Sequence, residues 1–260
     1  MEKQARPYSA LESYLRIFVA FLLTMVLLPP LIIATVPLLP WRRLRVRVGN
    51  VYGKCVGRFG VFAGGWRPII HNRERLDSHR PAVYVANHAS TLDVLLGMWL
   101  CPMGGVGTGK KEVAYVPFFG WAYYLSGHLL LNRQNRSSAI QAMSRVGELV
   151  RKNRMSVWIW PEGTRAMDGR LTTFKKGFAH LVLATRLPVV PVIMHHTHLR
   201  WPNKTYQLVP GDVHINVLPP VDTSHWTLEN LDQHIAEIRA IMAAHLSPDQ
   251  KPLDALAVAS

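Results

Sequence analysis

Cysteine is scarce in this chain: Cys55 and Cys101 are the only two in 260 residues. Two thiols do not make a disulfide framework, and a chain of this length builds its core without one. Each is read as a small packed apolar side chain rather than a nucleophile or metal ligand. Acidic residues are also sparse, 16 against 30 Lys and Arg, leaving a formal net charge of +14 and a pI near 10.2. That imbalance favours anionic partners: nucleic acid, an anionic bilayer or phosphorylated small molecules. Because 49% of the residues are hydrophobic and mean hydropathy is positive, the bilayer is the expected partner and nucleic acid is not. A Gly-x-Ser-x-Gly elbow is missing, which argues against a membrane-bound serine hydrolase. Internal repeats and low-complexity tracts are absent as well.

Charge is missing altogether from Ile17 to Leu39. The stretch is long enough to span a bilayer, but Pro29, Pro30 and Pro37 interrupt it, so the helix is predicted over Leu15–Leu28. A short helix, a proline break and a second apolar piece fit a hairpin dipped into one leaflet as well as one spanning helix. A cleaved signal peptide is disfavoured, since no small-residue cleavage site is evident and a basic segment follows. Arg42, Arg43, Arg45, Arg47, Lys54 and Arg58, with no acid among them, predict a flank that stays on the cytoplasmic side beside anionic headgroups.

From Pro68 the pattern is α/β. Strands are predicted near Ala82–Ala86, Leu129–Leu131, Ser156–Trp160, Val189–Met194 and within Gln207–Leu218, and helices near Leu92–Leu100, Ser137–Lys152, Gly177–Thr185 and Leu228–His245. This alternation implies a largely parallel central sheet flanked by helices, with active residues on loops at strand ends. The chain accordingly divides into membrane-anchoring helices with a basic linker (1–66), an α/β domain (67–246) and a peripheral C-terminal tail (247–260).

The stretch Ala82–Asp93, AVYVANHASTLD, carries the first candidate chemistry. Ser90 or Thr91 is a suitable N-cap for Leu92–Leu100, which puts His88 in the turn before the helix and Asp93 in its first turn, where the two can meet. A carboxylate accepting a hydrogen bond from one imidazole nitrogen fixes the tautomer and leaves the other nitrogen free to take a proton near neutral pH. For the pair alone the favoured reading is a turn whose polar residues merely cap and solvate it, because the spacing is common by chance. Gly104–Lys110, GGVGTGK, has phosphate-loop spacing, but Lys111 stands where Ser or Thr should hold magnesium, so nucleotide hydrolysis is not expected. Lys110 and Lys111 are then either cations at the head of a site or two exposed lysines. Arg133 closes the apolar run Leu130-Leu131, and Trp160-Pro161-Glu162-Gly163-Thr164-Arg165 follows another strand. Arg165 has the planar fork for a phosphate, Gly163 permits the turn that aims it, and Glu162 could pair with or orient an arginine.

Asn87-His88-x4-Asp93, the Arg133 block, Pro161-Glu162-Gly163-Thr164-Arg165 and Leu187-Pro188-Val189-Val190-Pro191-Val192 resemble, in order and spacing, the four blocks of the glycerolipid acyltransferases. The likeness is strongest to the bacterial 1-acyl-sn-glycerol-3-phosphate acyltransferases. Lys110-Lys111-Glu112, Val116-Pro117-Phe118-Phe119-Gly120-Trp121 and Phe174-Lys175-Lys176-Gly177 add to it, over roughly Arg67–Val221. Leu130-Leu131 and Trp160 depart from the family's usual Phe-Ile and Phe at those places. The resemblance implies transfer of a fatty acyl group from acyl-CoA or acyl carrier protein to the sn-2 hydroxyl of lysophosphatidic acid, forming phosphatidic acid. His88 would be the general base and Asp93 its orienting partner. Arg165 would bind phosphate, helped by Arg133 and one of Lys110 or Lys111, with Glu162, Gly163 and Thr164 completing the acceptor site. Neither cofactor nor metal is implied. The location implied is the cytoplasmic face of a bacterial inner membrane. Acylation of another lysolipid, such as a lyso-ornithine lipid, and non-catalytic binding to anionic lipid are the competing functions. His195, His196 and His198 have no place in the pattern; no Cys or carboxylate nearby completes a zinc site, and a polar strand end is expected there.

Overall fold

The computed structural model describes residues 6–78, 80–131 and 145–253. Arg133 and the predicted helix start at Ser137 lie outside them. Seven strands form one sheet: β1 (Trp66–His71), β2 (Val83–Ala86), β3 (Gly105–Lys110), β4 (Leu129–Leu131), β5 (Ser156–Ile159), β6 (Val189–Met194) and β7 (Gly211–Val217). Their order is β1-β7-β6-β2-β5-β3-β4. All neighbours pair parallel except β6 and β7, so β6, β2, β5, β3 and β4 run together and their C-terminal ends share one edge. The helices are α1 (Ala10–Thr35), α2 (Arg42–Ala63), α3 (Arg75–Ser78), α4 (Leu92–Leu100), α5 (Phe119–Leu125), α6 (described over 145–152), α7 (Gly177–Thr185), α8 (Thr197–Arg200) and α9 (Leu231–Ala244).

Both faces of the sheet are covered, which explains why its central strands are continuous apolar runs rather than alternating ones. Along β2, Tyr84 and Ala86 join Leu92, Leu96 and Trp158 on the α4 side. Val83 and Val85 point the other way, to Phe178 of α7 and Ile238 and Met242 of α9. β3 escaped the sequence reading because glycine depresses strand propensity; its Gly107 and Gly109 leave room for the Tyr123 ring, which would lie 3.2 Å from a Cβ at either.

Two N-terminal expectations are corrected. α1 does not stop at Leu28 but runs through Pro29 and Pro30 to Thr35. Leu28 and Leu31, on either side of the prolines, are buried against Ala122, Val48 and Tyr52, and this packing works against a cost of about 3 kcal/mol for each proline. The basic segment is no linker either: it is the 22-residue helix α2. Its Gly57 presses on α4 so closely that a Cβ would sit 2.5 Å from the Leu95 carbonyl oxygen. Residues 248–252 stay on the domain: Gln250 is wholly buried, and its carbonyl accepts the Leu171 N–H at 2.9 Å.

Candidate active site

Because the parallel strands end on one edge, the loops after β2, β3 and β5 converge there. β2 does not fray as it ends. The Asn87 side chain continues its pairing with β6, donating to the Met194 carbonyl at 2.9 Å and accepting the Met194 N–H at 2.8 Å. The next residue, His88, is therefore delivered at a defined point. Its Nδ1 lies 2.9 Å from Asp93 Oδ2, and the same oxygen accepts the Ala89 and Ser90 N–H groups at 2.6 and 2.7 Å. Asp93 is fully buried. With Nδ1 engaged by the carboxylate, Nε2 is the ring nitrogen left for other chemistry. Ser90 Oγ accepts the Leu92 N–H at 3.1 Å and donates to the Trp201 carbonyl, while Thr91, the residue at the N-cap of α4, makes no side-chain cap bond.

Among the described residues, Glu162 pairs with no arginine. One carboxylate oxygen accepts the His88 N–H at 2.7 Å; the other accepts the Thr172 N–H and hydroxyl at 2.9 and 2.7 Å. Burial pushes its pKa up, against the lowering effect of the Thr172 and His88 donors. It is a brace beneath the histidine loop rather than part of the opening. The β5 loop is tied to the same turn by the Ala166 N–H, which donates to the His88 carbonyl at 2.8 Å, and by Asn203, whose Nδ2 donates to the Ala89 carbonyl at 2.7 Å. Trp160 stacks on the His88 ring, centroids 4.8 Å apart at 24°. Thr172, Asn203 and the stacking of Trp160 were not legible in sequence, since each meets His88's loop from a distant segment.

These residues open onto a cavity of about 930 Å³. His88, Gly163, Thr164, Arg165 and Lys110 line it, and its depth is built from apolar side chains of α1, α2, α4 and α5. Arg165 and Thr164 are exposed, and Arg165 Nη1 donates to Thr91 Oγ1 at 2.5 Å. Lys111, the next residue along, is not among the lining groups. His196 pairs with Asp249 at 3.1 Å, while His195 meets Asn216 at 3.4 Å. Among the described residues no three His, Cys, Asp or Glu side chains are grouped to hold a metal.

A second histidine lines the cavity away from the His88 turn. His128 Nδ1 accepts the Gly107 N–H at 2.9 Å, and burial, then the Arg42 charge, push its pKa down to about 4. As pH falls from the ordinary value of 6.5 toward 4, the unfolded chain takes up a proton that the folded one refuses. Stability from this group should therefore be lost over that window, by up to about 1.4 kcal/mol per pH unit. Urea unfolding in detergent at pH 7 and pH 5 should show this slope, and His128→Gln, which keeps an acceptor for Gly107, should flatten it.

A histidine–carboxylate pair at strand exits, beside a cation and over an apolar cavity, is the arrangement of an enzyme that activates a hydroxyl next to a lipid chain. The chain belongs to the 1-acyl-sn-glycerol-3-phosphate acyltransferase family. Residues 67–195 match the family model described as Acyltransferase. The chain is 37% identical to the enzyme of that name from Limnanthes douglasii over 246 residues, 95% of this chain and 87% of the relative. It is 32% identical to the one from Escherichia coli (strain K12) over 196 residues, 75% and 76% of the two chains. The fold is that of the 1-acyl-sn-glycerophosphate (LPA) acyltransferase PlsC from Thermotoga maritima, with a TM-score of 0.68 at 20% identity, covering 90% of this chain and 97% of that one.

Proposed function

We propose that this protein transfers a fatty acyl group from acyl-CoA or acyl carrier protein to the sn-2 hydroxyl of lysophosphatidic acid, giving phosphatidic acid. The observation that carries the reading is the His88–Asp93 pair beside Arg165 and Lys110 at the head of the large cavity. His88 Nε2 takes the hydroxyl proton as the oxygen attacks the thioester carbonyl carbon. The tetrahedral intermediate collapses, the C–S bond breaks, and the proton passes from His88 to the departing thiolate. The thioester is already activated, so no covalent enzyme intermediate is required. Asp93 orients the imidazole and stabilises it when charged. Arg165 and Lys110, with Arg133 and Lys111 as further candidates, hold the acceptor phosphate, so that the distance from phosphate to His88 selects the hydroxyl that reacts. Gly163 and Thr164 shape the turn that presents Arg165.

The membrane reading rests on α1, which is long and apolar enough to cross a bilayer and leaves most of its surface uncovered. Its two ends are nevertheless tied to the same domain. Tyr8 N–H donates to the Leu208 carbonyl at 3.0 Å and Ser13 Oγ accepts the Leu208 N–H at 3.2 Å, while Leu28 and Leu31 pack on Ala122. A helix of about 39 Å at 1.5 Å per residue, held to one domain near both ends, lies along a leaflet rather than through it. The exposed Arg43, Arg47 and Arg58 of α2 would then meet anionic headgroups on the cytoplasmic face.

Arg165→Ala tests the acceptor assignment. Loss of a charged hydrogen-bonding partner to phosphate should raise KM for lysophosphatidic acid about 10–100-fold, with little effect on a phosphate-free monoacylglycerol. Equal losses with both acceptors would remove phosphate binding from Arg165.

A further inference from the structure

Between Lys110 and β4 the chain carries a group of aromatic side chains that the domain leaves uncovered. Tyr115 is 82% exposed, Trp121 52% and Tyr124 61%. Val116, Phe118 and Phe119 are also exposed, and these three line the cavity. A soluble surface rarely gathers so many large apolar groups without a partner. The backbone is held in a costly conformation at the centre of the group. Phe118 has φ 62° and ψ −56°, and the Phe119 N–H donates to the Pro117 carbonyl at 2.6 Å. This is a γ-turn of the rare, strained hand, costing roughly 1–3 kcal/mol for a residue with a side chain. It is locked from behind by Gly120, where a Cβ would lie 2.4 Å from the Val113 carbonyl oxygen, so α5 can approach that closely only through a glycine.

The position of the group identifies what covers it. Ala122 of α5 packs on Leu28 and Leu31 within the apolar α1, so the two helices must share one depth. Arg42 of α2 donates to the Gly127 carbonyl at 2.7 Å, which places the basic start of α2 beside the end of α5. The exposed Arg43 and Arg47 and the exposed Trp41 and Leu44 extend the same surface. Aromatic rings flanked by arginines, continuous with a long apolar helix, match a bilayer interface with anionic headgroups.

We infer that Tyr115–Leu125 is a second lipid-facing element, an aromatic lip that inserts into the interface of an anionic bilayer and sets the mouth of the cavity within it. The inference rests on the membrane-bound enzyme reading above. Phe118 and Phe119 belong to both the lip and the cavity wall, so a lipid chain passing between bilayer and site would not cross bulk water. Tyr115, Trp121 and Tyr124 do not line the cavity and serve as its outer anchors.

The experiment uses the full chain with Cys55→Ser, because Cys55 is exposed and Cys101 buried. Single cysteines at Trp121, Leu22 and Ser224 are labelled with an environment-sensitive fluorophore and mixed with vesicles of phosphatidylethanolamine and phosphatidylglycerol. The labels at 121 and 22 should brighten and shift to the blue, while the one at 224, on the α9 side, should not change. A response at 22 with none at 121 overturns the lip; silence at both overturns the membrane reading itself. Trp121→Glu combined with Tyr115→Glu should lower transfer to long-chain lysophosphatidic acid in vesicles about tenfold, leaving transfer to a short-chain, monomeric lysophosphatidic acid unchanged. An equal fall with both acceptors would make the aromatic pair structural and remove the proposal. A wild-type protein inactive on both acceptors would instead count against the enzymatic reading.

Discussion

His88→Ala should reduce acyl transfer about a thousandfold or more while leaving the protein folded and bound to vesicles. The loss follows from how the ring is held. Among the described residues the imidazole is the one titratable side chain bonded to Asp93, through a single nitrogen, and it lines the cavity with its other nitrogen uncommitted. Under the proposed mechanism, removing it deletes proton transfer in both halves of the reaction. The fold should survive because Asp93 Oδ2 keeps the Ala89 and Ser90 N–H donors, and the Asn87 clamp to Met194 involves no atom of His88. Thiol release from acyl-CoA gives the rate; circular dichroism and vesicle flotation report on fold and binding. A variant with near wild-type transfer would end the assignment of His88 as base.

Glu162→Ala should cost both stability and turnover. Its carboxylate satisfies three donors: the His88 N–H, the Thr172 N–H and the Thr172 hydroxyl. Truncation strands them at a site where Glu162 itself is only 1% exposed. Each unsatisfied buried group costs about 1–3 kcal/mol, so a loss near 3 kcal/mol or more is expected in urea unfolding. The His88 backbone would also lose its tether, and a displacement on the order of 1 Å at a base costs about 100-fold. The signature is a fall in kcat with KM for both substrates nearly kept, since Glu162 does not line the cavity. Glu162→Gln, which retains one acceptor oxygen, should lie between wild type and Glu162→Ala. A rise in KM at constant kcat would place Glu162 in substrate binding instead.

The elements legible in sequence are those whose residues state their own environment. β2, β5 and β6 are short apolar runs buried on both faces, and each stands where the pattern puts it. α4 begins where Ser90 and Thr91 signal a start, and that boundary puts His88 and Asp93 within reach of each other. β1, β3 and α5 were not legible. β3 is half glycine and makes a strand only because Tyr123 fills the space above Gly107 and Gly109. α2 was hidden by its charge and its glycines, although Gly49, Gly53, Gly57 and Gly60 recur at helical spacing and turn toward α4 or Ser126.

The sequence by itself determined the class of sheet, the strand-exit positions of His88 and of the Glu162–Arg165 block, and the basic apolar N-terminus; it set His88 and Asp93 within reach of each other without deciding that they pair. All of these depend on residues within a few positions of one another. Only the tertiary structure decided that Glu162 turns under the His88 loop, that Trp160 stacks on the imidazole, that α1 continues through two prolines, and that the segment carrying exposed Tyr115, Trp121 and Tyr124 packs on α1. The reason is physical: those outcomes depend on which distant segment supplies the buried partner, such as Thr172 for Glu162 or Ala122 for Leu28 and Leu31. Local propensity carries no information about partners brought together from across the chain.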